Sequence, residues 1–147
     1  MPIRPPVFDE AAQKLAPLLA GLPPKVVAVD GRSGAGKTTL ARFLSWYFNS
    51  SLVELDLFLA EGGLVWRESD VERIVKFRLD FRRPVIVEGL LVLDVLDSIG
   101  VKPDYTIYVL NAARPNGCGF ARESAEYENR RDIMASSDHV VELQHEG

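Results

Sequence analysis

One cysteine, two histidines and no long apolar run are what this 147-residue sequence has least of, and each shortage excludes something. Cys118 has no second cysteine to pair with, so no intrachain disulfide forms, and such usage suits a reducing cytosol. No base stands beside it in sequence to make it a reactive thiol. His139 and His145 lack the spacing of metal ligands and read as structural or surface residues. No apolar stretch nears the ~20 residues that span a bilayer. The opening Met1-Pro2-Ile3-Arg4-Pro5-Pro6 has no apolar centre of the kind a signal peptide carries. The expectation is a soluble cytoplasmic protein without a membrane partner. Basic charge is short too: Lys and Arg number 17 against 21 Asp and Glu, for a net charge of −4. Arg82-Arg83 and Arg130-Arg131 are the only basic pairs, and they read as solvated surface, which argues against nucleic acid as a partner. No internal repeat is visible. The length suggests one domain over residues 1–147, with 1–24 as an N-terminal arm and helix.

Against these shortages stands one dense stretch, Gly31-Arg32-Ser33-Gly34-Ala35-Gly36-Lys37-Thr38. It fits the P-loop pattern G-x-x-x-x-G-K-[ST] at every fixed position. A β-branched run, Lys25 to Asp30, precedes it, and Thr39-Leu40-Ala41-Arg42-Phe43-Leu44 follows with helical spacing. A polyphosphate carries several negative charges and many acceptor oxygens. Glycines let the backbone curl close to it, successive N–H groups form a nest, and the helix adds its positive end. The pattern therefore makes Gly31, Ser33, Gly34, Ala35, Gly36, Lys37, Thr38 and Thr39 the candidate nucleotide-binding residues. Lys37 would reach the β- and γ-phosphates, and the Thr38 hydroxyl would ligate Mg²⁺.

The rest of the chain alternates. Apolar spacing predicts a helix over 7–22, kinked or restarted at Pro17, then strand 25–30 and a helix over 37–48. Strand 52–56 follows, then a loop over 57–66 that holds Gly62-Gly63 and covers the site. A helix begins at Ser69, which reads as its cap, with Glu72 completing a capping box. Strand 84–88, helix 91–99, strand 104–110, a Pro/Gly-rich loop over 111–119, a charged helix over 120–134 and strand 138–143 complete the order. Strands alternating with helices predict a three-layer α/β/α sandwich of the P-loop NTPase class around a mainly parallel five-stranded sheet. Ligands of such sheets bind beyond the carboxyl ends of the strands. That places Asp56 and Glu88, each ending a strand, on the rim of the P-loop. Phosphoryl transfer needs a carboxylate for the metal and a group that takes the acceptor's proton. Glu88 is assigned to Mg²⁺ and Asp56 to the acceptor hydroxyl. Asp30 reads as orienting the loop or as structural, and Asp70 as part of a helix start. Arg114 and Arg122 flank the Gly-rich loop and are the candidates to meet the transferring phosphoryl group, with Arg130 and Arg131 further along. Phe58 and Trp66 read as packing aromatics, with ring stacking the other reading.

These residues resemble a family. Val26 to Ala41 is similar to the start of the uridine kinase and phosphoribulokinase group of P-loop kinases. Leu55-Asp56-Leu57-Phe58 resembles that group's Asp-x-Phe-Tyr segment, Val85 to Leu91 its Glu-Gly-Ile segment, and 125–131 with 137–141 its closing helix and strand. The resemblance implies ATP or GTP as donor, Mg²⁺, a small-molecule hydroxyl as acceptor, and Asp56 as the residue that takes the hydroxyl proton. The chain departs from the group in having Leu59 where the family carries a Tyr, and in a lid shortened to 111–123. Those departures point away from uridine itself. They leave two alternatives beside a small-molecule kinase: a nucleotide-binding module without transfer, and a shikimate- or gluconate-type kinase. A regulatory GTPase is disfavoured, because no Asn-Lys-x-Asp motif occurs. The acceptor, the choice of ATP or GTP, and the oligomeric state stay open.

Overall fold

The computed structural model describes residues 4–60 and 63–144. The expectations for Met1 to Ile3, Gly62 and His145 lie outside them. Five parallel strands form one sheet in the order β2-β3-β1-β4-β5. They are β1 (Val26–Gly31), β2 (Ser51–Glu54), β3 (Val85–Glu88), β4 (Tyr105–Asn111) and β5 (His139–Leu143). The helices are α1 (Pro6–Leu19), α2 (Lys37–Phe48), α3 (Glu68–Asp80), α4 (Val92–Ser98), α5 (Ala121–Arg131) and α6 (Ile133–Ser136). This is the three-layer α/β/α sandwich of P-loop NTPases. No helix among the described residues is long and apolar enough to cross a membrane.

Strand alternation sorts the core. Successive residues of a strand point to opposite faces. Val27 and Val29 of β1, Ile86 of β3 and Ile107 and Val109 of β4 pack with Phe8, Leu15, Leu40 and Leu44 of α1 and α2. Val26 and Ala28, with Val85 and Val87, face the other way and pack against Val71, Val75, Val92 and Leu96 of α3 and α4. Because β1 and β3 are covered on both faces, they read in sequence as unbroken apolar runs. The same alternation governs the two buried acids. Glu88 shares the phase of Ile86 and so faces α2. Asp30 shares the phase of Val26 and Ala28 and faces away from α2, toward α5.

Several boundaries differ from the sequence reading, each for a local reason. Helix α1 runs through Pro17 without a break. A proline this near the C-terminus leaves most of the helix's hydrogen bonds intact, and Leu15 and Leu19 on either side are buried. The helix begins at Pro6, one residue before the expected start at 7, ends at Leu19, and shares the core of α2. Ser69 does not cap α3. The helix starts one residue earlier, at Glu68, after Arg67. Strand β2 ends at Glu54, and Leu55–Phe58 forms a 3-10 turn. The charged helix over 120–134 is two pieces, divided at Asp132, which takes a left-handed conformation with φ of 48°.

Candidate active site

The P-loop leaves the carboxyl end of β1, the central strand, between β3 and β4. A phosphate cradle needs backbone in conformations that Cβ atoms oppose, and two glycines supply it. Gly34 has φ of 77°, and a Cβ there would lie 2.3 Å from Cys118 Sγ. Gly36 has φ of 107° immediately before α2, and its Cβ would lie 2.7 Å from Leu143 Cδ1. Helix α2 begins at Lys37, so its first N–H groups and its positive end open onto the loop. Lys37 is buried, and its Nζ donates to the Arg32 carbonyl at 3.2 Å, across the loop.

Glu88 projects from β3 toward α2 because of its phase, and the Thr38 hydroxyl donates to its Oε1 at 2.9 Å. The residue is only 1% exposed, and Oε2 has no hydrogen-bond partner. Burial pushes the Glu88 carboxyl above its ordinary range. The Thr38 hydrogen bond and the Lys37 charge oppose that shift, while Asp56 adds to it. A buried carboxylate with an unpaired oxygen beside a hydroxyl is a hard-oxygen donor set, and it fits Mg²⁺. Among the described residues, no cluster of three or more His, Cys, Asp or Glu is assembled for a metal. An ion here would draw its other ligands from phosphate and water, as Mg²⁺ does in nucleotide sites.

Asp56 does not end β2, as the sequence reading has it, but sits in the 3-10 turn that follows. Leu55, beside it, is buried against Gly89 so closely that a Cβ on Gly89 would lie 2.6 Å from Leu55 Cβ. This close approach docks the turn against the end of β3. A cavity of about 450 Å³ results, lined by Ser33, Gly34, Gly36, Lys37, Thr38 and Thr39 on one side and by Asp56 on another. That volume falls within the range of small-ligand sites. Gly31 and Ala35 complete the loop behind it. The Gly31 N–H donates to Asp30, and Ala35 is buried.

The two lid arginines separate. Arg114 lines the cavity, and its Nη1 donates to Cys118 Sγ at 3.5 Å. Arg122 does not line it. Phe120, with φ of 55°, turns the chain into α5, which leaves Phe120 on the cavity and Arg122 exposed on the first turn of the helix. Arg130 and Arg131 are occupied elsewhere, in ion pairs with Asp94 and Asp97 of α4. Burial alone would push the Asp94 carboxyl up, but these two guanidinium groups hold it below its ordinary value.

A second network, behind the loop, was not legible in the sequence. Arg32 Nε and Nη2 donate to Glu128 Oε2 and Oε1 at 3.0 and 2.8 Å, a two-pronged pair. The Tyr108 hydroxyl also donates to Glu128. Asp30 accepts the Gly31 N–H and the Tyr127 hydroxyl, each at 2.8 Å. The Asn111 amide donates to the Ala35 carbonyl at 3.3 Å. Arg32 and Glu128 are 96 positions apart, and no sequence pattern joins them. The only signals were a strand-end acid and a tyrosine in a charged helix.

The site and the sheet define a P-loop fold. Among solved structures, the chain is similar to a possible uridine kinase from Bacillus stearothermophilus. The TM-score is 0.64 at 14% identity, over 92% of this chain and 97% of that one. It is also similar to shikimate kinase from Acinetobacter baumannii in complex with shikimate, at TM-score 0.51 and 16% identity over 88% of each chain. A sugar kinase from Janibacter sp. HTCC2649 matches at TM-score 0.50 and 16% identity, over 81% of this chain and 85% of that one. At such identities the likeness establishes the fold. No protein-family model matches the sequence, and no curated protein does.

Proposed function

We propose that the protein is an ATP- or GTP-dependent kinase that transfers the γ-phosphoryl group to the hydroxyl of a small molecule, with nucleoside-like and sugar-like alcohols the first candidates. One observation carries this reading: Asp56 shares a single cavity with Lys37 and Thr38. Glu88 beside Thr38 already offers a carboxylate for the metal, which leaves Asp56 as a second carboxylate for an acceptor hydroxyl.

In this reading the P-loop N–H groups and the start of α2 hold the phosphates, and Lys37 spans the β- and γ-groups. Thr38 and Glu88 would hold Mg²⁺, which when bound would supply positive charge to the phosphate oxygens. Asp56 accepts the hydroxyl proton as the acceptor oxygen forms its bond to the γ-phosphorus. The bond from that phosphorus to the β–γ bridging oxygen breaks, and its electron pair leaves with the nucleoside diphosphate. Arg114, on the cavity wall, offers a guanidinium to the phosphoryl oxygens as they spread charge. The domain would span residues 1–147 and work in the cytoplasm.

A second reading, a nucleotide-binding module without transfer, is favoured by one feature. The short segment after β4 is fastened to the loop, with the Cys118 N–H donating to the Ser33 carbonyl at 2.7 Å. The test is nucleoside diphosphate release with ATP or GTP, Mg²⁺ and a panel of nucleosides, sugars, shikimate, gluconate and simple alcohols. Acceptor-dependent release that Lys37→Ala abolishes supports the kinase. Binding of the triphosphate with no release above the acceptor-free rate supports the module.

A further inference from the structure

The acceptor end of the cavity is apolar. Beyond the P-loop, its described lining is Leu59, Leu64, Trp66, Leu90 and Phe120, with Asp56, Arg114 and the unpartnered Trp66 indole N–H its polar groups. We infer that the acceptor is an alcohol carried on an apolar, ring-bearing body rather than a sugar, a polyol or a carboxylated cyclitol. This rests on the kinase reading above and replaces its nucleoside-like and sugar-like candidates with another class of alcohol.

Three observations support it. First, the polar inventory is too small for a sugar. A sugar brings several hydroxyls, and each one buried without a partner lowers affinity roughly tenfold or more. Asp56 can serve the reacting hydroxyl, and Arg114 stands on the phosphate side beside Gly34. Among the described residues, no Asn, Gln, His or Tyr side chain lines the cavity, outside the P-loop no Ser or Thr does, and the Trp66 indole N–H, which has no hydrogen-bond partner, is the one further donor.

Second, large apolar side chains face this cleft while partly open to water. Leu59 is 36% exposed and Phe120 43%. Scattered exposed leucines mean little, but apolar groups gathered on one concave wall mark a surface that an apolar partner covers.

Third, the wall is built onto the same element as the base. Leu59 and Trp66 pair as an antiparallel bridge. The Arg67 N–H donates to the Phe58 carbonyl and the Ala60 N–H to the Val65 carbonyl, each at 2.7 Å. This frame follows directly on the turn that carries Asp56. An apolar body seated against Leu59 and the Trp66 ring is therefore registered against the carboxylate that receives its proton. Trp66 from this frame and Phe120 from the start of α5 supply two aromatic rings, which suits a flat ring in the acceptor.

The test pairs transfer with binding. Turnover is measured with ATP and Mg²⁺ for benzyl alcohol, 2-phenylethanol and larger aryl-alkyl primary alcohols, against ribose, glucose, gluconate, shikimate and uridine. Binding of the same compounds is measured by calorimetry with a non-hydrolysable ATP analogue in place. The expected result is a kcat/KM for the best aryl alcohol at least 100-fold above any sugar or shikimate. Leu59→Gln should lower kcat/KM for that alcohol at least tenfold and leave ATP affinity within twofold. Higher kcat/KM for a sugar, shikimate or uridine overturns the inference and leaves the kinase reading standing. Binding of aryl alcohols without transfer supports the pocket assignment and overturns the kinase reading. Neither binding nor transfer of any aryl alcohol overturns the inference, as does an unchanged kcat/KM in Leu59→Gln.

Discussion

Asp30 should make the folded protein lose stability as pH rises from about 4 to 7, and Asp30→Asn should remove that loss. The carboxylate ends the central strand facing α5, 2% exposed. Burial raises it from an ordinary value of 3.8 to about 7, against the opposing hydrogen bonds from Tyr127 and Gly31 and the Lys37 charge. The sign follows from proton binding. Between those two values the folded state holds a proton that the unfolded chain has released. Stability therefore falls with rising pH across that window and is level above it. At about 1.4 kcal/mol per pH unit of difference, the ionised form costs about 4 kcal/mol at pH 8 relative to pH 4. Asparagine keeps the size, and its amide can still accept the Gly31 N–H and donate to the Tyr127 oxygen. Urea unfolding followed by circular dichroism at pH 4 to 8 measures both proteins. The stability of Asp30→Asn minus that of the natural chain should grow by about 4 kcal/mol between pH 4 and 7 and then stay constant. Parallel curves for the two proteins would refute the burial argument.

Other perturbations follow from the same geometry. Phe8 is fully buried and stacks beside Phe43 at 5.6 Å between ring centroids. Phe8→Ala should cost about 3–5 kcal/mol in unfolding free energy, the usual range for an emptied aromatic core site. Glu88→Gln can keep the Thr38 hydrogen bond while removing the charge, so the gain in ATP affinity on adding Mg²⁺ should fall roughly 10–100-fold. ATP affinity without metal should be unchanged or better, as equilibrium dialysis would read. Gly34→Ala places a Cβ 2.3 Å from Cys118 Sγ in a left-handed conformation. It should cut nucleotide affinity severely, and Cys118→Ala in the same chain should restore only part of it, because the backbone strain remains.

Much of the fold was legible because its signals are local. The P-loop pattern, the apolar runs of β1 and β3, and the helical spacing of α1 and α2 each lie within a dozen residues. The sheet class followed from alternation. What could not be read depended on distant partners. The run from Leu52 to Asp56 reads as one strand, yet Leu55 is buried in a 3-10 turn by docking against Gly89, just past the end of β3. Arg122 looked equivalent to Arg114 until the turn at Phe120 directed one into the cavity and the other to the surface. The Arg32–Glu128 and Asp30–Tyr127 contacts join residues 96 and 97 positions apart. Only the register of β1 on β4 and the docking of α5 bring them together.

The role of Asp56 separates a kinase from a binding module most sharply. The decisive measurement is paired: ATP·Mg²⁺ affinity and acceptor-dependent ADP release for Asp56→Asn and the natural chain, with the best acceptor of the panel. The account predicts nucleotide affinity within about twofold of the natural chain and phosphoryl transfer reduced by about 10²–10⁴-fold, the usual contribution of a positioned base. Transfer at the natural rate in Asp56→Asn would contradict it.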